Sequence, residues 1–221
     1  MKNSEKEKII KRYSERLATC GYSPETLGWG KHRHWLRYHI LLDYWSFQDS
    51  DTLLDFGCGF GDMHTYCKSK KLTVSYTGMD INPDLIDTGK KVFPDVKLIC
   101  RDSINDGLDQ DYDYIVSSGV HSLKLNDSPG FIKATFELFN QHAQKGFAIN
   151  FMSSRVDYQD EHLYYADPPE ILALALKFSN RVLLKHDYMP YEFTIFVDKR
   201  QNPDPKLKVY PEYMQYLASP Q

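Results

Sequence analysis

The sequence of 221 residues contains no uninterrupted run of 18 apolar residues, so no membrane-spanning helix is predicted. The first residues are mostly polar or charged, which is not typical of a signal peptide, and we expect a cytoplasmic protein. Cysteine is scarce, and the absence of a CxxC pair argues against a zinc knuckle or a disulfide framework. The four cysteines are Cys20, Cys58, Cys67 and Cys100. His32, His34 and His64 have no further ligand type at metal-site spacing, so no metal is predicted.

The charge of the chain is unevenly distributed, although its formal net value is only −3. Residues 1–40 contain nine Lys or Arg against four Glu, so this segment is basic and the remainder is acidic. A basic segment attracts an anionic acceptor or a nucleic acid. Alternating Lys and Glu residues are also typical of an exposed helix face. The sequence leaves both interpretations open.

Hydrophobic periodicity predicts two helices followed by alternating strands and helices. The predicted helices cover residues 4–18, 31–45, 61–70, 83–93, 129–143 and 168–178, and the predicted strands cover residues 52–56, 75–80, 96–100, 112–117, 146–152, 181–186 and 192–198. The last two strands are separated by too few residues for a helical crossover, so they should pair antiparallel. We therefore expect an N-terminal helical cap at 1–46, one α/β domain at 47–200 and a Pro-rich tail at 201–221.

The most informative segment is the glycine-rich stretch Leu-Leu-Asp-Phe-Gly-Cys-Gly-Phe-Gly-Asp at 53–62. It places a glycine turn directly after a buried strand, which is where α/β proteins hold nucleotides. A dinucleotide-binding turn has the spacing G-x-G-x-x-G, which would require glycine at position 62, but this residue is Asp62. The carboxylate of Asp55 would repel a pyrophosphate and attract an amino group. The turn therefore predicts a ligand that is cationic at one end and adenosine-like at the other.

The segment Asp55-Phe-Gly-Cys-Gly-Phe-Gly61 resembles the first motif of the class I S-adenosylmethionine-dependent methyltransferases. The resemblance covers about residues 27–198 and implies a Rossmann-like, seven-stranded sheet of order 3-2-1-4-5-7-6 with one antiparallel strand. It implies that Asp80, at the end of the second strand, binds the ribose hydroxyls, and that Asp102 contacts the adenine. The further cofactor-binding residues that it implies are Asp55, Gly57, Cys58, Gly59, Gly61, Ile81, Ser103, Ile104, Ser117 and Ser118.

The segment 27–37 resembles the helix that lies over the cofactor in methyltransferases of this class that act on small molecules. An arginine of that helix often binds the methionine carboxylate, and Arg37 is the first candidate here, with Arg33 second. An arginine at the protein surface is the alternative interpretation. Asp80 and Asp102 also have structural alternatives, since either could stabilise a turn.

Methyl transfer depends mainly on proximity and orientation, so a strong catalytic signature is not required. A hydroxyl or amine acceptor can nevertheless use a base, and His121 and His186 are the candidates, each with a structural histidine as the alternative. Five tyrosines could form the wall of an acceptor pocket: Tyr158, Tyr164, Tyr165, Tyr188 and Tyr191.

The segment Asp167-Pro-Pro-Glu170 is similar to the Asp-Pro-Pro-aromatic motif of amino-group methyltransferases. It follows the fifth strand instead of the fourth and ends in Glu, so we interpret it as a capping box at a helix start. The sequence thus predicts an enzyme that transfers a methyl group from S-adenosylmethionine to a small molecule, at oxygen, and releases S-adenosylhomocysteine. The alternatives are a tRNA or protein methyltransferase and a non-catalytic partner subunit that binds the cofactor.

Overall fold

The computed structural model describes residues 3–28, 30, 33–200, 206 and 208–217. Seven strands form one sheet in the order β3-β2-β1-β4-β5-β7-β6, which confirms the predicted fold class. The strands are β1 (Thr52–Phe56), β2 (Ser75–Asp80), β3 (Lys97–Cys100), β4 (Tyr112–Ser117), β5 (Ala143–Met152), β6 (Arg181–Met189) and β7 (Glu192–Asp198). Strand β7 is antiparallel to both neighbours, β5 and β6, whereas β1 to β5 pair in parallel. The predicted antiparallel pairing of the last two strands is therefore confirmed.

Helices precede the sheet and connect its strands. The α-helices are α1 (Asn3–Cys20), α2 (Arg33–Asp43), α3 (Met63–Ser69), α4 (Pro83–Val92), α5 (Ser103–Asp106), α6 (Ser128–His142) and α7 (Pro168–Ala175), and short 3-10 helices cover Pro24–Leu27, Val120–Ser122 and Pro211–Leu217. Three boundaries differ from the sequence prediction by three residues: β5 begins earlier, α7 ends earlier and β6 ends later. Strand β6 is longer because Met189 pairs with Glu192 across the hairpin, beyond an irregularity that starts after Lys185. None of the described helices combines the length and the apolar composition needed to cross a bilayer.

The sheet is buried on both faces, as expected for parallel strands. Successive residues of β1 point to opposite faces, so Leu53 packs with α2 and α3 whereas Leu54 packs with α6. Phe136 and Phe139 of α6 fill the second face without solvent exposure. Because helices cover both faces of the sheet, a ligand can reach it only at the carboxyl edge of the parallel strands.

Helix α1 lies across that carboxyl edge. The ammonium group of Lys6 is 3.0 Å from the carboxylate of Asp102, which follows β3. The side-chain amide of Asn82, after β2, donates to the carbonyl of Ile10 at 3.0 Å, and the carboxylate of Glu5 accepts the N–H of Asn126 at 2.7 Å. These three contacts join α1 to successive loops of the edge.

The capping box predicted at Asp167 is not formed. Asp167 stands at the N-cap of α7, but its side chain accepts no hydrogen bond from that helix. Its carboxylate instead accepts from the Ser154 hydroxyl at 3.1 Å and forms an ion pair with Arg155 at 2.7 Å. A hydroxyl and a guanidinium group from the preceding loop therefore outcompete the backbone N–H groups. The start of the helix at Pro168 is confirmed.

Candidate functional site

The glycine turn after β1 is held by hydrogen bonds to the end of β2. Gly57 N–H donates to the carbonyl of Met79 at 2.7 Å, and Gly59 N–H donates to the carboxylate of Asp80 at 2.9 Å. The backbone φ angles of Gly57, Gly59 and Gly61 are +75°, +58° and +88°, which side chains disfavour. A Cβ on Gly57 would also lie 2.1 Å from the side chain of Val120. The turn therefore keeps its backbone exposed to whatever occupies the space above it.

A cavity of about 500 Å³ opens above this turn, and most of the predicted cofactor-binding residues line it. Those on its wall are Arg37, Asp55, Gly57, Cys58, Gly59, Asp80, Ile81, Asp102, Ser103, Ile104 and Ser118. Two predicted residues lie behind the wall: Gly61 packs against Leu98, and Ser117 is fully buried in β4. The hydroxyl of Ser118 is buried at the wall, and none of the described residues hydrogen-bonds it, so it is available to a polar ligand.

Asp55 is a buried carboxylate with 2% of its surface exposed. Burial raises its pKa to about 7, against the hydrogen bond that the Tyr76 hydroxyl donates at 2.8 Å, and the nearby charges of Asp80 and Asp62 raise the pKa further. Among the residues that the structure describes, none forms an ion pair with this carboxylate. The site therefore favours a ligand that brings an ammonium group, as the sequence predicted.

Asp80 and Asp102 occupy the ends of β2 and β3 on the same wall. Burial raises the pKa of Asp80 to about 6, although the N–H groups of Asn82 and Gly59 donate to its two oxygens at 2.9 Å each. Burial also acts to raise the pKa of Asp102, but hydrogen bonds from Lys6 and Asn105 outweigh it and keep the pKa below its usual value. Asp80 thus shapes the glycine turn as well as facing the cavity, while Asp102 is already paired with α1.

Arg37 forms a buried ion pair with Glu192, which the sequence did not predict. Its Nε donates to Glu192 Oε2 at 2.6 Å, and its Nη2 contacts Glu192 Oε1. Burial lowers the pKa of Arg37 to about 10. The predicted role of Arg37 towards a methionine carboxylate stays a prediction, but its charge is largely compensated. Arg33, the second candidate, lines the same cavity and donates to the Tyr191 hydroxyl at 2.9 Å.

The two predicted bases do not line the cavity. His121 is enclosed between the rings of Phe131 and Phe151, and neither of its ring nitrogens bonds to any of the described residues. Burial lowers the pKa of His121 to about 3, so it is neutral at physiological pH. His186 lies on the outer strand β6 and contacts the ring of Phe193. This placement favours the structural alternative for both histidines.

Sequence reasoning missed one whole side of the cavity. Helix α1 contributes four side chains to the wall, namely Ile9, Arg12, Tyr13 and Arg16. The loop between β5 and α7 contributes Asp160, His162 and Leu163, whereas Tyr158 is 78% exposed. Among the five tyrosines proposed for the acceptor wall, only Tyr191 lines the cavity. The one available signal was the apolar face of α1, which had to pack against something.

No group of three or more potential metal ligands occurs among the residues that the structure describes. The arrangement is instead a ligand site made of three carboxylates, a glycine turn and an apolar extension. It can hold an adenosine-like molecule with a cationic end and can bring a second molecule next to it.

Comparison with known proteins shows the family of this chain. The family model described as a methyltransferase domain matches residues 54–143. A Mycobacterium tuberculosis protein named as a methyltransferase, Rv1506c, is 32% identical over 161 residues, which cover 68% of this chain and 95% of the relative. The match to the family model includes the glycine turn and strands β2, β3 and β4.

Solved structures of methyltransferases share the fold. A TehB-like SAM-dependent methyltransferase from Corynebacterium glutamicum matches with a TM-score of 0.57 and 19% identity, covering 90% of this chain and all of the other. The magnesium protoporphyrin IX methyltransferase of Synechocystis PCC 6803, with bound SAH, matches with a TM-score of 0.52 and 12% identity over 69% of this chain and 75% of the other. At these identities the likeness concerns the fold and not the acceptor.

Proposed function

The chain belongs to the class I S-adenosylmethionine-dependent methyltransferases, and we propose that it methylates an oxygen atom of a small-molecule acceptor in the cytoplasm. Its cofactor is S-adenosylmethionine, which supplies a methyl group activated by the sulfonium. The observation that carries the small-molecule proposal is the cavity itself. It extends past the glycine turn to Leu123, Phe131 and Met152 and is covered by α1, and its volume of about 500 Å³ suits small ligands.

We assign the cofactor contacts from the wall residues. Asp55 would pair with the amino group, Asp80 would accept hydrogen bonds from the ribose hydroxyls, and Asp102 would face the adenine. Arg37 or Arg33 would bind the methionine carboxylate. The remaining proposed contacts on the wall are Gly57, Cys58, Gly59, Ile81, Ser103, Ile104 and Ser118. Gly61 and Ser117 lie behind the wall and would support the glycine turn and the end of β4 without touching the cofactor. The unpartnered hydroxyl of Ser118 and the uncompensated carboxylate of Asp55 support this assignment.

The chain's own contribution to the reaction is positioning. The glycine turn and the apolar extension of the cavity hold the two reactants side by side and exclude water, which by itself accelerates an in-line displacement. If the acceptor hydroxyl loses its proton to the protein, Asp160 and His162 are better placed to receive it than His121, since both line the cavity.

The oxygen target rests on the end of β4. This strand ends at Ser117 and is followed by Ser118 and Gly119, whereas the motif similar to that of amino-group methyltransferases occurs at the start of α7. The alternative of a tRNA or protein acceptor rested on the basic N-terminal segment. In the structure Lys6 pairs with Asp102, and Arg12 and Arg16 line the cavity, so these charges do not form a continuous outer strip.

The test uses S-adenosylmethionine labelled in its methyl group. The protein is incubated separately with a panel of small hydroxyl and amine compounds, with tRNA and with protein extract, and an Asp80→Ala variant serves as the inactive control. We expect label in the hydroxyl compounds, as methyl ethers. Label confined to tRNA or protein would contradict a small-molecule acceptor, and label found on nitrogen would contradict the oxygen target.

A further inference from the structure

We propose that the methyl acceptor carries a carboxylate or phosphate group, which binds the guanidinium groups of Arg12, Arg16 and Arg33 where the cavity opens. This inference rests on the proposed function, because it concerns the second ligand of the same cavity. Arg12 and Arg16 reach the cavity from α1, and Arg33 reaches it from α2. Arg12 and Arg33 are exposed side chains, so a ligand entering from solvent meets them first.

The three arginines differ from the other arginines of the wall in their partners. Arg37 is neutralised by Glu192, and Arg101 forms an ion pair with Asp109. In the described part of the chain, no carboxylate lies within ion-pair distance of the three proposed residues, which are Arg12, Arg16 and Arg33. Their positive charges are therefore uncompensated in the cavity.

Hydrogen bonds fix two of these guanidinium groups without neutralising them. Arg16 donates to the backbone carbonyls of Thr26, at 2.9 Å, and Glu25. Arg33 donates to the Tyr191 hydroxyl at 2.9 Å, and its guanidinium carbon lies 5.9 Å from the centre of the Tyr191 ring. A planar group held in this way is arranged in advance for a two-oxygen anion.

Bound cofactor does not remove the excess of positive charge. S-adenosylmethionine carries two positive groups and one carboxylate, and that carboxylate can occupy one arginine. Asp55 would offset the amino group, and Asp102 is already paired with Lys6. Asp160 is the remaining acidic side chain on the acceptor side of the described wall. The three arginines and the two positive groups of the cofactor outnumber the cofactor carboxylate, Asp55, Asp80 and Asp160 by one charge. The occupied cavity therefore keeps an excess of positive charge, and a partly enclosed site favours an anion there.

The proposal predicts the ligand preference of the protein when it is saturated with S-adenosylhomocysteine. Calorimetry compares benzoate, phenyl phosphate and neutral benzamide, three probes of similar shape. We expect benzoate or phenyl phosphate to bind at least tenfold more tightly than benzamide, and the tighter of the two anions identifies the group. Arg12→Gln and Arg33→Gln should each weaken the anionic probe about tenfold or more.

Lys8→Gln is the matched control, because Lys8 is an exposed residue of α1 that does not line the cavity. It removes the same charge, so it should leave the affinity for the anion within twofold. S-adenosylhomocysteine affinity reports on folding and should stay unchanged in Arg12→Gln and Lys8→Gln. Arg33→Gln is not used for this readout, because Arg33 is also a candidate for the methionine carboxylate. Equal binding of benzamide and benzoate would overturn the proposal, as would an equal loss in Lys8→Gln.

Two further outcomes separate this inference from the proposed function. If the arginine variants weaken S-adenosylhomocysteine and not the anionic probes, the arginines serve the cofactor and the inference is wrong. If the labelled acceptor is a neutral hydroxyl compound, the inference is wrong while the proposed function holds. If label enters only a macromolecule, the proposed function itself is wrong.

Discussion

Arg37 of α2 and Glu192 of β7 form a bidentate ion pair although they are 155 positions apart in the sequence. Both charged groups are buried. Glu192 also accepts from the side-chain amide of Asn150 at 3.1 Å, and Asn150 accepts from Gly119 N–H at 2.7 Å. The chain of polar contacts runs from the helix over the cavity to the turn that follows β4. It therefore ties α2 to a wall of the candidate site.

Removing Arg37 alone should destabilise the protein strongly. Arg37→Met leaves the Glu192 carboxylate buried without a positive partner, which costs about 3–5 kcal/mol of unfolding free energy. Arg37→Met combined with Glu192→Gln removes both charges and keeps the amide contact with Asn150, so we expect most of the stability to return. Urea denaturation measures both variants. If Arg37→Met alone is as stable as the parent protein, the ion pair does not stabilise the packing of α2.

Cofactor binding should weaken as the pH falls below 7. Because the pKa of Asp55 is raised to about 7, acid protonates the carboxylate that would pair with the cofactor's amino group. The association constant for S-adenosylhomocysteine should fall by up to about tenfold per pH unit below 7. Asp55→Asn should bind weakly and lose the slope between pH 7 and pH 6, so that only the dependence due to Asp80, whose pKa is raised to about 6, remains below that range. Asp87→Asn, an exposed carboxylate on α4, is the control that should keep the slope.

The same carboxylate should limit the stability of the free protein. Its pKa is about 7 in the folded state and near 3.8 in the unfolded state, so the folded state binds the proton more tightly. Protonation of Asp55 therefore stabilises the folded state. This contribution is fully present below the unfolded pKa near 3.8 and is lost as the pH rises through the folded pKa of about 7. Asp55→Asn should therefore stabilise the ligand-free protein at pH 8, by at most about 4 kcal/mol, while weakening the cofactor. Thermal unfolding at pH 6 and pH 8 tests this.

His121 should be replaceable without loss of turnover. Burial lowers the pKa of His121 to about 3, so the unfolded state binds the proton more tightly than the folded state does. The free energy of unfolding therefore decreases as the pH drops below about 6.5. His121→Phe fits between two phenylalanine rings and should raise the melting temperature at pH 5.5 more than at pH 8. A variant that binds cofactor normally but loses turnover would instead identify His121 as a base.

The glycine turn offers a matched pair of substitutions. Gly57 and Gly107 have similar φ angles, +75° and +71°, but an added Cβ meets Val120 at 2.1 Å in the first case and nothing within 4 Å in the second. Gly107→Ala should cost about 1–3 kcal/mol from backbone strain alone. Gly57→Ala should cost more and abolish cofactor binding, and Val120→Ala should recover part of the difference. Equal losses at both glycines would contradict the steric argument.

Much of the fold could be predicted because the signals are local. The bounds of β1, β2, β4 and β7 were predicted to the residue, since each is a short apolar run between turn residues. Helix α5 was not predicted, because four residues are too few to show a helical period. The side chain of Asp167 was assigned to its own helix because the sequence does not show that Ser154 and Arg155 fold back beside it.

The candidate site divides in the same way. The sequence predicted that Asp55, Asp80 and Asp102 share one wall of the cavity. This prediction was possible because β1, β2 and β3 are parallel, so the residues at or just after their carboxyl ends meet at one edge of the sheet. Helix α1 as a wall could not be predicted, because its apolar face shows only that the helix packs and not which surface it meets. Long-range packing also determines which arginines form ion pairs. Arg37 pairs with Glu192, whereas no described carboxylate lies within ion-pair distance of Arg12, Arg16 or Arg33.

The sequence by itself thus determined most of the strands and the glycine turn, because each depends on residues within a few positions of one another. The resemblance of that turn to a known family then implied the strand order and the cofactor. Only the tertiary structure decided that Arg37 pairs with Glu192, that His121 is buried between two phenylalanine rings and that Arg12 and Arg16 line the cavity. Burial and charge pairing depend on neighbours brought together from distant parts of the chain, and no local pattern specifies them.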